Sequence, residues 1–191
     1  MVFAHDTTTA LVLAADLVNA TELTDVAALE VFLDQHYVEP RRQVTVADLG
    51  AVRTLRPRLR ALWQAPDTES LAMLVNELLA DSGARPWLTD HGGGWGWHLH
   101  VTGRDATLEH RIAAQAGFAF ADLVRLRETG RLRRCEAPDC EAVVIDLSKN
   151  RSRRYCDTGN CGNRQHVAAY RERLAGRLAP RLPERGTERG A

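Results

Sequence analysis

The chain has 191 residues, 45% of them apolar, and its 25 basic and 25 acidic side chains cancel to a formal charge of zero. That length suits one well-filled core and a small accessory module, and no apolar run approaches the ~18 residues of a membrane span. The neutral sum hides an asymmetry: residues 1–124 carry 9 basic and 16 acidic side chains, net −7, and residues 125–191 carry 16 basic and 9 acidic, net +7.

The first segment reads as helical. Ala10, Leu13, Ala14, Leu17 and Val18 recur at helical spacing over residues 9–20, and Thr24 is placed to cap a second helix carrying Ala28, Leu29, Phe32 and Leu33. Pro40 closes that unit. Thr45-Val46-Ala47-Asp48 has the pattern of a capping box and opens a third helix with Leu49, Val52, Leu55, Leu59 and Leu62, which Pro57 is expected to kink or divide. A fourth helix, from about Asp67 to Ser82, carries Leu71, Leu74, Val75 and Leu78 and stops at Gly83.

Between residues 85 and 101 the period shifts to two. Strands around Trp87 and from Trp95 to Val101 are expected to form a β-hairpin across Asp90-His91-Gly92-Gly93-Gly94. His98 and His100 then share one strand face. Without a third ligand or a carboxylate beside them, they read as the polar side of a half-buried strand rather than a metal site. Trp87, Trp95, Trp97 and Phe120 are candidates to line a small-molecule pocket between hairpin and helices, against the alternative that they fill the core. A long helix over about Asp105–Thr129 follows, with Gly117 allowing close packing or a bend.

All four cysteines fall within residues 135–161, as the pairs Cys135/Cys140 and Cys156/Cys161. Each pair is local, so each supplies half of a tetrahedral four-thiolate site at little loop-closure cost, the donor set that Zn²⁺ prefers. No charged segment followed by an apolar run opens the chain. A reducing cytoplasm is therefore the expected compartment, which disfavours two disulfides. Residues 142–147 and 151–155 are expected to pair as a hairpin between the cysteine pairs, placing Arg151, Arg153 and Tyr155 on one strand face, with Cys161 starting a final helix to about Arg177. This makes a small treble-clef-like unit that needs its metal to fold. Asn163 is placed to tie the turn at the helix start, and Arg164 to pair with Asp146 or Asp157.

Cys135 through Cys140, Asp146-Leu147-Ser148-Lys149-Asn150-Arg151, Arg154-Tyr155-Cys156 and Cys161-Gly162-Asn163-Arg164 together resemble the CGNR zinc finger family, in which the finger follows an N-terminal ABATE domain. The resemblance implies an ABATE-like domain over 1–130 and a finger over 131–178; residues 179–191, rich in Pro, Gly, Arg and Glu, are expected to be a disordered tail. The fold class expected is α+β, mainly helical. Members are described as stress-induced transcriptional regulators, which implies that the finger binds double-stranded DNA and the N-terminal domain a small molecule or a second copy of itself. Tyr155 stands where the family usually has another aromatic, often Trp. Lys149, Arg151, Arg153, Arg154, Arg164 and Arg171 are the candidate phosphate contacts, set against the plainer reading of a solvated basic face. A zinc-dependent protein-interaction module is the alternative. An enzyme is not expected, because no nucleophile–base pair or paired acids stand out and a four-thiolate zinc has no open position.

Overall fold

The computed structural model describes residues 3–36, 38, 43–90, 97–103 and 105–178. Pro40, His91 to Trp95, the tail 179–191 and the side chains of His98 and Arg177 lie outside the described residues. The fold is mainly helical, with six α-helices and two small antiparallel strand pairs among the described residues. None of these helices is long and apolar enough to cross a membrane.

The helical body is built from α1 (His5–Asn19), α2 (Val26–Gln35), α3 (Val46–Gln64), α4 (Thr68–Asp81) and α5 (Leu108–Arg125). Their starts follow from local side chains. Thr45 Oγ1 accepts the Asp48 N–H at 3.3 Å while Asp48 Oδ2 accepts the Thr45 N–H at 2.8 Å, completing the expected capping box. Asp67 caps α4 through the Ser70 N–H at 2.7 Å. The cap of α2 is Asp25, not Thr24: its carboxylate accepts the Ala28 N–H at 2.9 Å. At the other end of α4, Gly83 takes φ +61, a left-handed conformation that glycine adopts without strain. Pro57 does not divide α3, which is assigned as one helix of 19 residues. Burial of Val52, Leu55, Leu59 and Leu62 in the core outweighs the one backbone bond that proline removes.

The central helix is α5, packed against α1, α3 and α4. It is shorter at both ends than its periodicity suggests; at the C-terminal end Arg127 takes φ +57 and the Glu128 and Arg127 N–H groups fold back onto the Leu123 and Val124 carbonyls, closing the helix before a 3₁₀ turn at Thr129–Arg131. Ile112, Phe120 and Leu123 are fully buried along it, and Trp63 of α3 meets Phe120 edge-on at 5.0 Å. Gly117 lets the helices approach, since a Cβ there would lie 2.7 Å from Leu79 Cδ2 and 2.9 Å from its Cγ. Guanidinium groups of α3 meet the end of α1: Arg56 Nε donates to the Leu17 carbonyl at 2.9 Å and Arg60 Nη2 to that of Val18 at 3.2 Å. The expected N-terminal hairpin is present as β1 (Trp87–Thr89) and β2 (His98–His100), with Leu88 opposite Leu99.

The second strand pair is β3 (Leu132–Arg134) with β4 (Val143–Ile145), so these strands flank the first cysteine pair. The expected hairpin of 142–147 with 151–155 does not form, and 151–155 is not a strand. The cause is Asp146. Its buried carboxylate accepts the Ser148 N–H at 3.0 Å, the Ser148 hydroxyl at 2.6 Å and the Arg153 N–H at 3.0 Å, which draws residues 146–153 into a closed loop with Arg151 at φ +50. Side-chain bonds to the backbone thus replace a ladder. Strand β4 faces the helices as well. Val143 and Ile145 belong to the same buried cluster as α1, α3 and α5. The Asn19 amide pairs with both main-chain groups of Val143, at 2.8 and 2.9 Å, and the Trp63 indole donates to the Val144 carbonyl at 3.1 Å.

Candidate metal centre and the basic module around it

Cys135 follows β3 directly, Cys140 closes the turn before β4, Cys156 ends the Asp146-pinned loop, and Cys161 is the first residue of α6 (Cys161–Leu178). Their four sulfur atoms lie within 4.8 Å of one another. Cys156 Sγ is 3.6 Å from both Cys140 Sγ and Cys161 Sγ. Four sulfurs at ~2.3 Å from a tetrahedral zinc are about 3.8 Å apart, so the spacing fits that ion and is far from the ~2.05 Å of a disulfide. All four thiols are free. A second cluster of buried residues, Cys135, Ala137, Val144, Cys156 and Cys161, closes over the sulfurs, with Cys140 partly open.

Without a metal the four groups cannot all carry charge. At Cys140 a bond from the Ala142 main chain favours the thiolate, yet burial and the neighbouring sulfurs push the thiol up to about 12. Burial likewise raises Cys156. Cys161 moves the other way because Arg164 Nη2 donates to its sulfur at 3.3 Å. A divalent cation removes the conflict, since coordination deprotonates thiols outright.

The basic residues are mostly held by acids of the same module. Arg151 pairs with Glu128 at 2.7 Å, Arg153 with Asp157, and Arg154 with Glu136 at 2.5 Å. Arg164 grips Asp139 with two bonds, 2.8 and 3.1 Å, rather than Asp146 or Asp157. Asp146 is committed to its loop, and Asp157 to Arg153. Glu128 also pairs with the buried Arg131, whose guanidinium donates to the Asp146 and Ser148 carbonyls. Lys149 and Arg171 are exposed, and neither has a carboxylate partner among the described residues. Arg151, Arg153 and Tyr155 do not share a strand face, because there is no strand there. From His166 to Leu174 every residue of α6 is exposed, so that half of the helix stands clear of the rest of the protein.

The aromatic candidates differ in burial. Phe120 is fully buried in the core, Trp97 is 74% exposed, and Trp87 donates its indole N–H to the Thr102 carbonyl at 3.2 Å beside the His100 ring. Trp95 is outside the described residues. Among those residues the cysteine quartet is the one metal-ligating cluster, and His100 takes no part in it. Sequence reasoning missed Asp139, Glu128 and Asn19. A carboxylate in the first knuckle was visible as a potential partner for an arginine, but Asn19 lies 124 residues from its partner and left no local signal.

The geometry defines a protein with a metal-binding module: a four-thiol cluster carried by a knuckle and a helix start, packed on a helical body. Residues 11–130 match the family model for ABATE, described as "Putative stress-induced transcription regulator", and residues 131–174 match that of the CGNR zinc finger. The chain belongs to the ABATE family, with a CGNR zinc finger following the ABATE segment. No curated protein matches it.

Proposed function

We propose that this protein is a zinc-dependent, DNA-binding transcriptional regulator of the stress-response class that its family description names. Zinc is held by Cys135, Cys140, Cys156 and Cys161 as a structural ion, and the module it closes carries the DNA contact. The observation behind this reading is the outer half of α6. It is exposed on all sides, it bears Arg171 and Arg173 with no carboxylate partner among the described residues, and the helix it belongs to begins at Cys161 of the four-thiol cluster. An α-helix of that width fits a major groove, and unpaired guanidinium groups are free to replace phosphate counterions. Lys149, exposed in the Asp146-pinned loop of the same module, adds a charge with no carboxylate partner among the described residues. Arg153 and Arg154 are exchangeable reserves, because solvent-exposed ion pairs give way readily to a phosphate, whereas Arg151 is anchored to the buried Glu128. The helical body takes a small molecule or a second copy, a role supported by the apolar outer face of its hairpin, where Leu88 and its partner Leu99 are 65% and 40% exposed.

The competing reading is a protein-interaction module. Val167, Tyr170 and Leu174 are 40%, 60% and 45% exposed and recur at one-turn intervals on α6, a pattern suited to an apolar partner groove. Selection of bound sequences from random duplex DNA with zinc-loaded full-length protein separates the two. Enrichment is expected, with log K falling linearly in log salt and the slope reduced by about 0.9 in each of Lys149→Gln and Arg171→Gln. Recovery at background level in low salt would refute DNA binding and leave the interaction module.

A further inference from the structure

Arg164 sits one turn inside α6, three residues after Cys161, and its guanidinium turns back over the metal centre. One nitrogen contacts Cys161 Sγ at 3.3 Å, and both terminal nitrogens grip the Asp139 carboxylate at 2.8 and 3.1 Å. Asp139 belongs to the turn between Cys135 and Cys140, 25 residues earlier in the chain. The side chain therefore joins the loop that supplies one cysteine pair to the last sulfur of the other. Only a planar fork makes both contacts at once, which a lysine ammonium cannot do. This arrangement also uses the two terminal nitrogens that a phosphate contact would require.

We propose that Arg164 and Asp139 form a clasp on the metal centre: Asp139 orients the guanidinium, which donates to the Cys161 sulfur and holds the two cysteine pairs closed around the ion. This rests on the four cysteines holding a metal. The assignment makes Arg164 a positioning residue of the metal site rather than a reader of nucleic acid. A divalent ion with four thiolates leaves two net negative charges in a largely buried cluster, and Arg164 is the cation in contact with a sulfur. Partners in the second layer of a metal site commonly change its affinity by 10- to 100-fold.

The test is the rate at which zinc passes from loaded full-length protein to excess chromogenic chelator, for the wild type, Arg164→Gln, Arg164→Lys and Asp139→Asn. About 10-fold faster release is expected for Arg164→Gln. Arg164→Lys should recover little of that despite keeping the charge, and Asp139→Asn should lie between. A second readout is the sulfur-to-cobalt charge-transfer band of cobalt-loaded protein, which should shift in Arg164→Gln because the sulfur loses its donor, and which a role in packing alone leaves in place. If Arg164→Gln fails to fold, the lysine and Asp139 variants carry the comparison. Equal release rates within twofold and superimposable cobalt spectra overturn the clasp. Failure of the wild type to take up either metal overturns the metal site itself, a different result.

Discussion

Replacing Asn19 with alanine tests how firmly the finger is built into the body. The Asn19 amide donates to the Val143 carbonyl at 2.8 Å and accepts the Val143 N–H at 2.9 Å, so one side chain takes the place of a neighbouring strand on the outer edge of β4. Alanine leaves both main-chain groups without those partners. Each such loss costs about 1–3 kcal/mol when water cannot replace the bond. Asn19 is only half-buried, so we expect the lower part of the summed range, about 2–4 kcal/mol. For a chain of this size that lowers the melting temperature by about 5–15 °C. The assay is urea unfolding of the zinc-loaded protein, followed by far-UV dichroism and Trp63 fluorescence, with amide exchange at Val143. Asn19→Asp should lose at least as much at pH 7, because it keeps an acceptor for the Val143 N–H but sets a carboxylate oxygen against the Val143 carbonyl. A change below about 0.5 kcal/mol, with Val143 still protected, would mean that β4 does not depend on this contact.

Two further substitutions probe packing and charge. Gly117→Ala should destabilise by about 1 kcal/mol net, since the contact with Leu79 outweighs the helix-propensity gain; in a Leu79→Ala background the same change should become neutral or favourable, and a stabilised single variant in urea would contradict the close approach. Burial pushes the Asp146 carboxyl up, but hydrogen bonds from Ser148 and the Arg153 main chain outweigh it and leave the group below the ordinary carboxylate range. Its folded value being the lower, the stabilisation it gives is full above the unfolded value and disappears as pH falls through the folded one. Asp146→Asn should therefore be less stable than the wild type at pH 7, and the gap should narrow below about pH 4. Because acid also releases thiolate-bound metal, both proteins are compared with and without zinc, and a gap that stays constant down to pH 3 in both series would rule this out.

The local chemistry of this chain was legible in its sequence, and the long-range part was not. The Thr45–Asp48 capping box, the start of α4 near Asp67 and the stop at Gly83 are each written within a few residues, and the cysteine quartet in two local pairs. The second hairpin was misplaced because residues 151–155 have strand-like composition while Asp146, five residues before Arg151, captures their backbone. Arg164 was assigned to Asp146 or Asp157 from proximity in sequence, whereas the metal centre's own fold brings Asp139 to it. Basic residues were counted as available charge, yet their acidic partners are interleaved in the same stretch, which net charge cannot reveal. Phe120 showed as aromatic, but its burial beside Trp63 depends on how α3 and α5 cross.

Because Val143 and Ile145 complete a core otherwise made by the five body helices and their connections, the order in which the chain is made matters for its assembly. Synthesis runs from the N-terminus, so all five body helices leave the ribosome before the two residues that finish their shared interior. The contact between Asn19 and Val143 spans 124 positions and, like the packing of α1 on α5, it closes late because segments far apart in the sequence must meet. Until then the seat beneath α1 stays open, and its apolar lining is the surface a chaperone would find on the nascent chain.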